Sequence, residues 1–532
     1  MIKIIQTDEA CEIFPWISEL GKTLQCKKKV MKLPSEYRKE VQQAIEKHRS
    51  PGSISRYSTE TTDLFTVDGN NHAFFMPGLI GRVERTLKKL RLEYEVEKRL
   101  DPSLRPPPDW SLVGDLRGRQ LEILATVALA DGGVVKAATG YGKSHLIRKL
   151  CLMYPGLNIL VISKAQSVVK ELYTALHDTL PEEVGAVFAG INNAPGKRIV
   201  VTTTKSLHKI NAEEVQLLIL DECHACGMND CAEQLSRFLH CRRFGLTATP
   251  YRTDGTAIMM ETFFGPTLID IEYQESVDTG NVTQIGYTMV DVPKGPTFIE
   301  DDVNEGRVTS NLFKKRWAYW RNFDRNRLIA DIAESAVSRG LQTLIMVETL
   351  EHAIKLHQYL PDAPVVHYGK TSEKDFEELA EALMKDRELK ALFIQHCQEH
   401  GIPEEDVILG ARRWLAEHYS LSQKQKDSIK QKMADGDLRL AIATLTWGEG
   451  INLSQLNVLI RAEGITSRIR NDQIPGRLSR LWEGKKMGLL VDFSDGWTPW
   501  ASNNARLREL GYSHNRWQRF ETVEELFSNA HQ

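Results

Sequence analysis

The chain alternates between short apolar runs and longer stretches in which apolar residues recur every three or four positions. From Trp110 to about Ile285 the runs are GVVKAA, LNILVIS, KRIVVTT, VQLLILDE and RRFGLTAT, each closing on polar or glycine residues. Strands buried on both faces of a parallel sheet look like this, and the segments between them have helical spacing. A second series, LQTLIMV, APVVHYG, LRLAIAT, LNVLIRA and MGLLVDF, begins near Arg325. The pattern predicts two α/β domains in tandem, connected by IGYTMVDVP and the polar stretch through Asn311.

The first hundred residues follow a different pattern. A basic run, Lys27, Lys28 and Lys29, precedes the helix-like SEYRKEVQQAIEKH and the turn-rich PGSISRYSTETTD. The strands LFTV and HAFFM, the helical LIGRVERTLKKLRL and a closing strand YEVEK then give a small α+β pattern. Pro106, Pro107 and Pro108 fit neither a helix interior nor a central strand, so LRPPPDW is expected to be a linker. The expected domains are an accessory domain over 1–108, a first α/β domain over 109–290 and a second over 291–532. Helical spacing in KDFEELAEALMKD and EDVILGARRWLAEHYS predicts an insertion at about 371–420, read as a packed cap in preference to a nucleic-acid-contacting arm. The tail ARLRELGYSHNRWQRFETVEELF reads as amphipathic helix docked on the second domain.

Composition narrows the class. In 532 residues, 42% hydrophobic and 26% charged content exclude a disordered or fibrous chain. Lys plus Arg number 68 against 71 Asp plus Glu, so any groove for a polyanion must be local. The best local candidates in the accessory domain are Lys27 to Lys29 and Arg82, Arg85, Lys88, Lys89 and Arg91, which a solvated face explains equally well. Eight cysteines are too sparse for a disulfide framework, and no charged-then-apolar leader follows Met1, so a reducing, cytoplasmic compartment is expected. No apolar run approaches the roughly eighteen residues of a membrane span, so no membrane association is expected.

The densest chemistry lies between strand GVVKAA and helix HLIRKLCLM, where Ala137, Ala138, Thr139, Gly140, Tyr141, Gly142, Lys143 and Ser144 form a phosphate-loop pattern. Small residues let backbone N–H groups turn toward a β-phosphate, the helix N-terminus adds partial positive charge, Lys143 reaches the β/γ-phosphates and Ser144 offers its hydroxyl to Mg²⁺. Ala137 stands where the general pattern has glycine. Asp221 and Glu222 end the run VQLLIL, which places them at the edge of the sheet where ligands of open α/β sheets bind. Asp221 is then the metal carboxylate and Glu222 the base that orients water, a constellation for ATP hydrolysis with Mg²⁺. Cys223, Cys226, Cys231 and Cys241, with His224 and His240, lack the paired spacing of structural zinc and read as small buried apolar residues.

These residues resemble the DExH-box branch of the superfamily 2 helicases over roughly residues 110 to 495. Asp221-Glu222-Cys223-His224 is similar to that family's second box, and Gln120 to its adenine-recognising glutamine. LVISKAQSVVKEL and Thr203-Thr204-Lys205 resemble its strand-contacting segments. Thr247-Ala248-Thr249-Pro250 resembles the segment that, with His224, couples hydrolysis to strand binding. In the second domain, Thr444, Gly448, Glu449, Gly450 and Asn452 are similar to a motif that senses nucleotide and touches the strand, with Asn452 where an acid is frequent. Gln473-Ile474-Pro475-Gly476-Arg477-Leu478-Ser479-Arg480 matches Q-x-x-G-R-x-x-R, whose arginines Arg477 and Arg480 are implied to reach across a cleft to the γ-phosphoryl.

The resemblance implies two RecA-like motor domains in tandem that use ATP and Mg²⁺. The layout looks like the DNA-directed branch with the bacteriophage UvsW-type and XPB/RecG-like enzymes, implying movement on branched, forked or duplex DNA, with single-stranded nucleic acid as a further partner. A phage origin would make the compartment the host cytoplasm. An RNA helicase and the motor subunit of a restriction complex stay open as alternatives. A non-enzymatic scaffold fits less well, because buried charges that serve no ligand are costly to keep.

Overall fold

The computed structural model describes residues 1–32, 39–40, 43, 57–227, 229–249, 254–292, 311–367, 373–384, 386–445, 453–464, 466, 474–496 and 499–530. They form two compact units, Met1–Glu272 and Tyr273–Gln532.

The first unit contains an eight-stranded sheet with the order Ile191–Asn192, Val184–Phe188, Ile199–Thr203, Ile159–Ser163, Leu217–Asp221, Arg242–Thr247, Gly132–Ala137 and Thr267–Ile271. Every pairing is parallel except that of the two-residue edge strand Ile191–Asn192. Apolar clusters cover both faces, one holding Val135, Val161 and Ile219 and the other Val134, Leu160 and Leu218. Burial on both sides is why these strands read as unbroken apolar runs. Cys223, Cys226, Cys231 and Cys241 belong to the second cluster, as small buried apolar side chains.

The same unit carries the accessory fold. Its sheet runs Phe65–Val67, Ala73–Phe75, Cys11–Phe14, Ile2–Gln6 and Tyr94–Lys98, with helix Ile80–Lys89 packing Val83 and Leu87 beneath it. A separate antiparallel hairpin pairs Gln25–Met31 with Tyr57–Asp63. Lys27 to Lys29 therefore lie on a strand, and part of the segment expected to be turn-rich is its partner. The helix-like SEYRKEVQQAIEKH lies largely outside the described residues. The accessory fold is fastened at several points: Arg82 and Arg85 both pair with Glu261, the latter at 3.0 Å. At Gly78 an added Cβ would lie 2.0 Å from the Glu261 carbonyl oxygen. The proline tract is held too, because Arg105 bonds Asp8 at 2.6 Å and Asp131 at 3.1 Å.

The second unit has an all-parallel seven-stranded sheet with the order Val365–Val366, Leu440–Thr444, Thr343–Val347, Val458–Arg461, Met487–Phe493, Gln284–Val290 and Gln518–Arg519. Gln284–Val290, expected to belong with the first domain and the connection, instead pairs along its length with Met487–Phe493. An apolar run can satisfy its backbone in either sheet, and position along the chain does not decide which. Helices Glu373–Leu383, Arg387–Glu399 and Val407–Tyr419 occupy the expected insertion, and Phe376, Leu389, Phe393 and Leu415 join the core of this sheet. Helix Pro499–His514 buries Arg508 and Tyr512. Arg508 bonds Asp492 at 2.8 Å and Arg325 bonds Asp495 at 2.9 Å, all four side chains being fully buried. Among the described residues no helix is long and apolar enough to cross a membrane.

Candidate functional site

Three neighbouring strands of the first sheet deliver the site at their C-terminal ends. Gly132–Ala137 leads into the phosphate-loop pattern, Arg242–Thr247 lies beside it, and Leu217–Asp221 is next again. Thr139, Gly140, Tyr141 and Gly142 span the turn between strand and helix Lys143–Leu152. Gly140 and Gly142 have φ of 89° and 98°, a left-handed backbone that side chains disfavour and that lets the chain fold back before the helix. Tyr141 is buried, while Ser144 sits half-buried in the first helical turn. Gln120, 3% exposed, abuts the loop: a Cβ at Gly142 would lie 3.2 Å from its Nε2, and its Oε1 accepts from the Arg117 amide at 3.0 Å.

Lys143 Nζ lies 3.7 Å from Glu222 Oε1 and donates to the Ala137 carbonyl at 3.4 Å. Asp221 is buried, with Ser163 Oγ 3.5 Å from its Oδ2. Burial, followed by the charge of Glu222, pushes the Asp221 carboxyl well above the usual carboxylate range. Burial acts on Glu222 in the same sense, but Lys143 and His224 more than offset it and hold that carboxyl below its ordinary value. The adjacent acids thus differ sharply. A buried carboxylate short of positive charge is a suitable donor for a hard cation, so the residues present fit Mg²⁺.

Glu222 has φ of 52°, a left-handed backbone rare for a side chain of this kind and frequent at functional turns. Its carboxylate is aimed by Thr247, whose hydroxyl donates to Oε2 at 3.2 Å. With its single proton so committed, that hydroxyl accepts from the Thr249 amide at 3.1 Å and from His224 Nδ1, also at 3.1 Å. His224 Nδ1 stands 3.3 Å from Glu222 Oε2 as well. Glu222, His224, Thr247 and Thr249 therefore form one hydrogen-bonded unit joining two strand ends.

The expected nucleic-acid contacts are more dispersed. Thr203 ends its strand, buried, with its hydroxyl on Ser206 at 3.2 Å, while Thr204 is half-buried and Lys205 exposed. In the second unit Thr444 ends Leu440–Thr444, buried, and Arg477 and Arg480 are half-buried at the short turn Pro475–Arg477. That turn packs closely on the sheet, since a Cβ at Gly488 would lie 2.5 Å from Leu478 Cβ. Pro250, Gly448, Glu449, Gly450, Asn452 and Gln473 lie outside the described residues. Sequence reasoning passed over two contributors, Ser163 and Gly245. A lone glycine within the apolar strand RRFGLTAT was the available signal for Gly245, because it marks a close approach.

The family model described as type III restriction enzyme, res subunit, matches residues 114–252. Over 418 residues the chain is 23% identical to the DNA 3'-5' translocase XPB2 of Sulfurisphaera tokodaii, covering 76% of this chain and 86% of that protein. The solved structure of Dbp5 from S. cerevisiae bound to RNA and ADP BeF3 superposes with a TM-score of 0.51 at 11% identity, covering 80% of this chain and 96% of that one, a likeness of fold alone. The T4 UvsW crystal structure aligns over 98% of this chain and 99% of its own at 14% identity, but its TM-score of 0.38 carries no argument. With the ordered motifs and the two parallel sheets, the family model and the XPB2 match relate the chain to the superfamily 2 helicases, with the XPB and restriction-enzyme translocases among its relatives.

Proposed function

We propose that the protein is an ATP-driven superfamily 2 helicase or translocase acting on DNA. It couples ATP hydrolysis with Mg²⁺ to movement on, or remodelling of, branched, forked or duplex DNA in recombination, repair or replication. The observation that carries this reading is the meeting of Lys143 with Glu222 at 3.7 Å, beside the buried Asp221, at the ends of neighbouring parallel strands. An ATP phosphate competes with Glu222 for Lys143, so binding releases the carboxylate toward water. Gln120 abuts the loop and is suited to read adenine, and the amides between Thr139 and Ser144 are suited to cradle phosphate.

Ser144 and Asp221 would hold Mg²⁺, which supplies charge neutralisation at the phosphates. Glu222 orients the attacking water and receives its proton, held in line by Thr247 and His224. Arg477 and Arg480 are assigned to neutralising charge on the transferring phosphoryl, as their motif implies, and Thr203, Thr204, Lys205 and Thr444 to gripping the strand backbone. Gly450, Thr249 and Gln473 take the nucleotide-sensing and coupling roles of their motifs. A reducing, cytoplasmic setting, the host's if the chain is phage-encoded, accords with eight buried cysteines that form no disulfide.

The test is phosphate release measured against single-stranded DNA, duplex, fork, four-way junction and RNA, followed by product analysis on the preferred polymer. Stimulation by forked or duplex DNA is expected. Stimulation by RNA alone would overturn the DNA assignment.

A further inference from the structure

The helices of the second unit bring together a group of residues that no nucleotide chemistry uses. His396 lies in helix Arg387–Glu399, His400 caps that helix, and Glu417 lies in the neighbouring helix Val407–Tyr419. One ligand atom from each of the three lies within 4.8 Å of the other two, and among the described residues no other group of His, Cys, Asp and Glu meets that condition. The i, i+4 spacing puts the two imidazoles on one face of the helix, where their ring centroids are 4.0 Å apart. The facing helix is positioned by Trp414, edge-on to Phe393 at 5.5 Å.

A second observation points to a ligand. His396 is 5% exposed, and its Nε2 is buried without a hydrogen-bond partner. A buried polar nitrogen of this kind calls for an explanation, and an ion on it would be one. His400 is prepared differently: its Nδ1–H donates to the His396 carbonyl at 3.0 Å, which leaves its Nε2 with an available lone pair. Metal-bound imidazoles are held by this sort of bond on the second ring nitrogen.

We propose that His396, His400 and Glu417 bind a zinc ion that pins helix Arg387–Glu399 to helix Val407–Tyr419. Two imidazoles and a carboxylate are borderline-soft donors that suit zinc and poorly suit Mg²⁺, which prefers oxygen, so the cation of the nucleotide site does not compete here. Bonds of about 2.0–2.2 Å in a tetrahedron would bring the donors to roughly 3.3–3.6 Å from one another. His400 and Glu417 are both exposed, and rotation of their side chains supplies that closure without moving the core. Cys397 is not a donor, because its Sγ is turned to Gly410, where an added Cβ would lie 2.1 Å away. His418 is stacked on Trp414 with ring centroids 4.3 Å apart and is not among the three residues whose ligand atoms meet, so water would complete a four-coordinate site.

The full chain, stripped with chelator and passed through a desalting column, is titrated with zinc chloride in the absence of ATP and DNA. Bound metal is counted by mass spectrometry, and melting is followed in parallel. Wild type is expected to hold about one equivalent more than His400→Ala or Glu417→Gln, with affinity at least about tenfold higher, and to melt higher with zinc than without. Cobalt in place of zinc should give the visible absorption of a tetrahedral site in wild type alone. Both altered side chains are exposed, and retained phosphate release confirms that the variants fold. Equal zinc content and equal melting shifts in wild type and both variants would overturn the proposal, whatever the motor does.

Discussion

Gly245 faces Cys223 so closely that a methyl group at position 245 would lie 2.7 Å from both the Cβ and the Sγ of that cysteine. The contact seats the turn carrying Asp221 and Glu222 against strand Arg242–Thr247, which ends in Thr247. Gly245→Ala is expected to cost about 1–3 kcal/mol through overpacking and to slow phosphate release by displacing Glu222. Cys223→Ala in the same chain removes one of the two clashing atoms and should recover part of the stability. Denaturant unfolding of the single and double variants measures both effects, and wild-type stability in Gly245→Ala would show that the strand yields freely.

Thr247 links Glu222, His224 and Thr249 through one hydroxyl. Thr247→Val keeps the shape and removes all three bonds. Base catalysis contributes about 10²–10⁴-fold, so losing its positioning should lower kcat by about tenfold or more with little change in KM for ATP. Thr247→Ser should restore most of the rate. A rise in KM at constant kcat would instead assign Thr247 to binding.

Lys485 is 8% exposed, and burial followed by the charge of Arg480 lowers its ammonium pKa to about 7. The unfolded value is about 10.4, so between these limits the unfolded chain binds more protons and stability rises with pH. Below pH 7 the penalty of burying the charge is complete, and above the unfolded value it disappears. Lys485→Met is therefore expected to raise the melting temperature at pH 6 to 7 and to converge with wild type near pH 10.5. A difference independent of pH would mean that the amine is neutral, or solvated, throughout.

Arg508 bonds Asp492 at 2.8 Å and stands 3.7 Å from Asp495, with all three side chains fully buried. Arg508→Met leaves Asp492 without its bonded guanidinium, while Asp495 keeps Arg325, and should cost about 3–5 kcal/mol. Adding Asp492→Asn should recover some of the loss. Guanidinium unfolding gives both numbers.

The sheets were legible in the sequence because strands covered on both faces are apolar at nearly every position, and GVVKAA or VQLLIL needs little further context. The phosphate-loop pattern was legible for a related reason: glycine spacing, lysine and helix start are local features. Other elements escaped. The hairpin of Gln25–Met31 with Tyr57–Asp63 is built from KKK and STETTD, whose polarity signals turn or surface. The pairing of Gln284–Val290 with Met487–Phe493 depends on which sheet has an open edge. Arg508, Asp492 and Arg325 look like surface charges until the helix and strand that carry them pack together. His396 and Glu417 sit on separate helices and become neighbours only when those helices pack, through contacts such as Phe393–Trp414 and Cys397–Gly410.

Phosphate release by Glu222→Gln, compared with wild type in the presence of DNA at saturating ATP and Mg²⁺, tests the central claim most directly. Removing the carboxylate while keeping its size should lower the DNA-stimulated rate by about a hundredfold or more, with melting close to wild type. Wild-type turnover in that variant would contradict the assignment of Glu222 as the base, and with it the hydrolytic site built around Lys143 and Asp221.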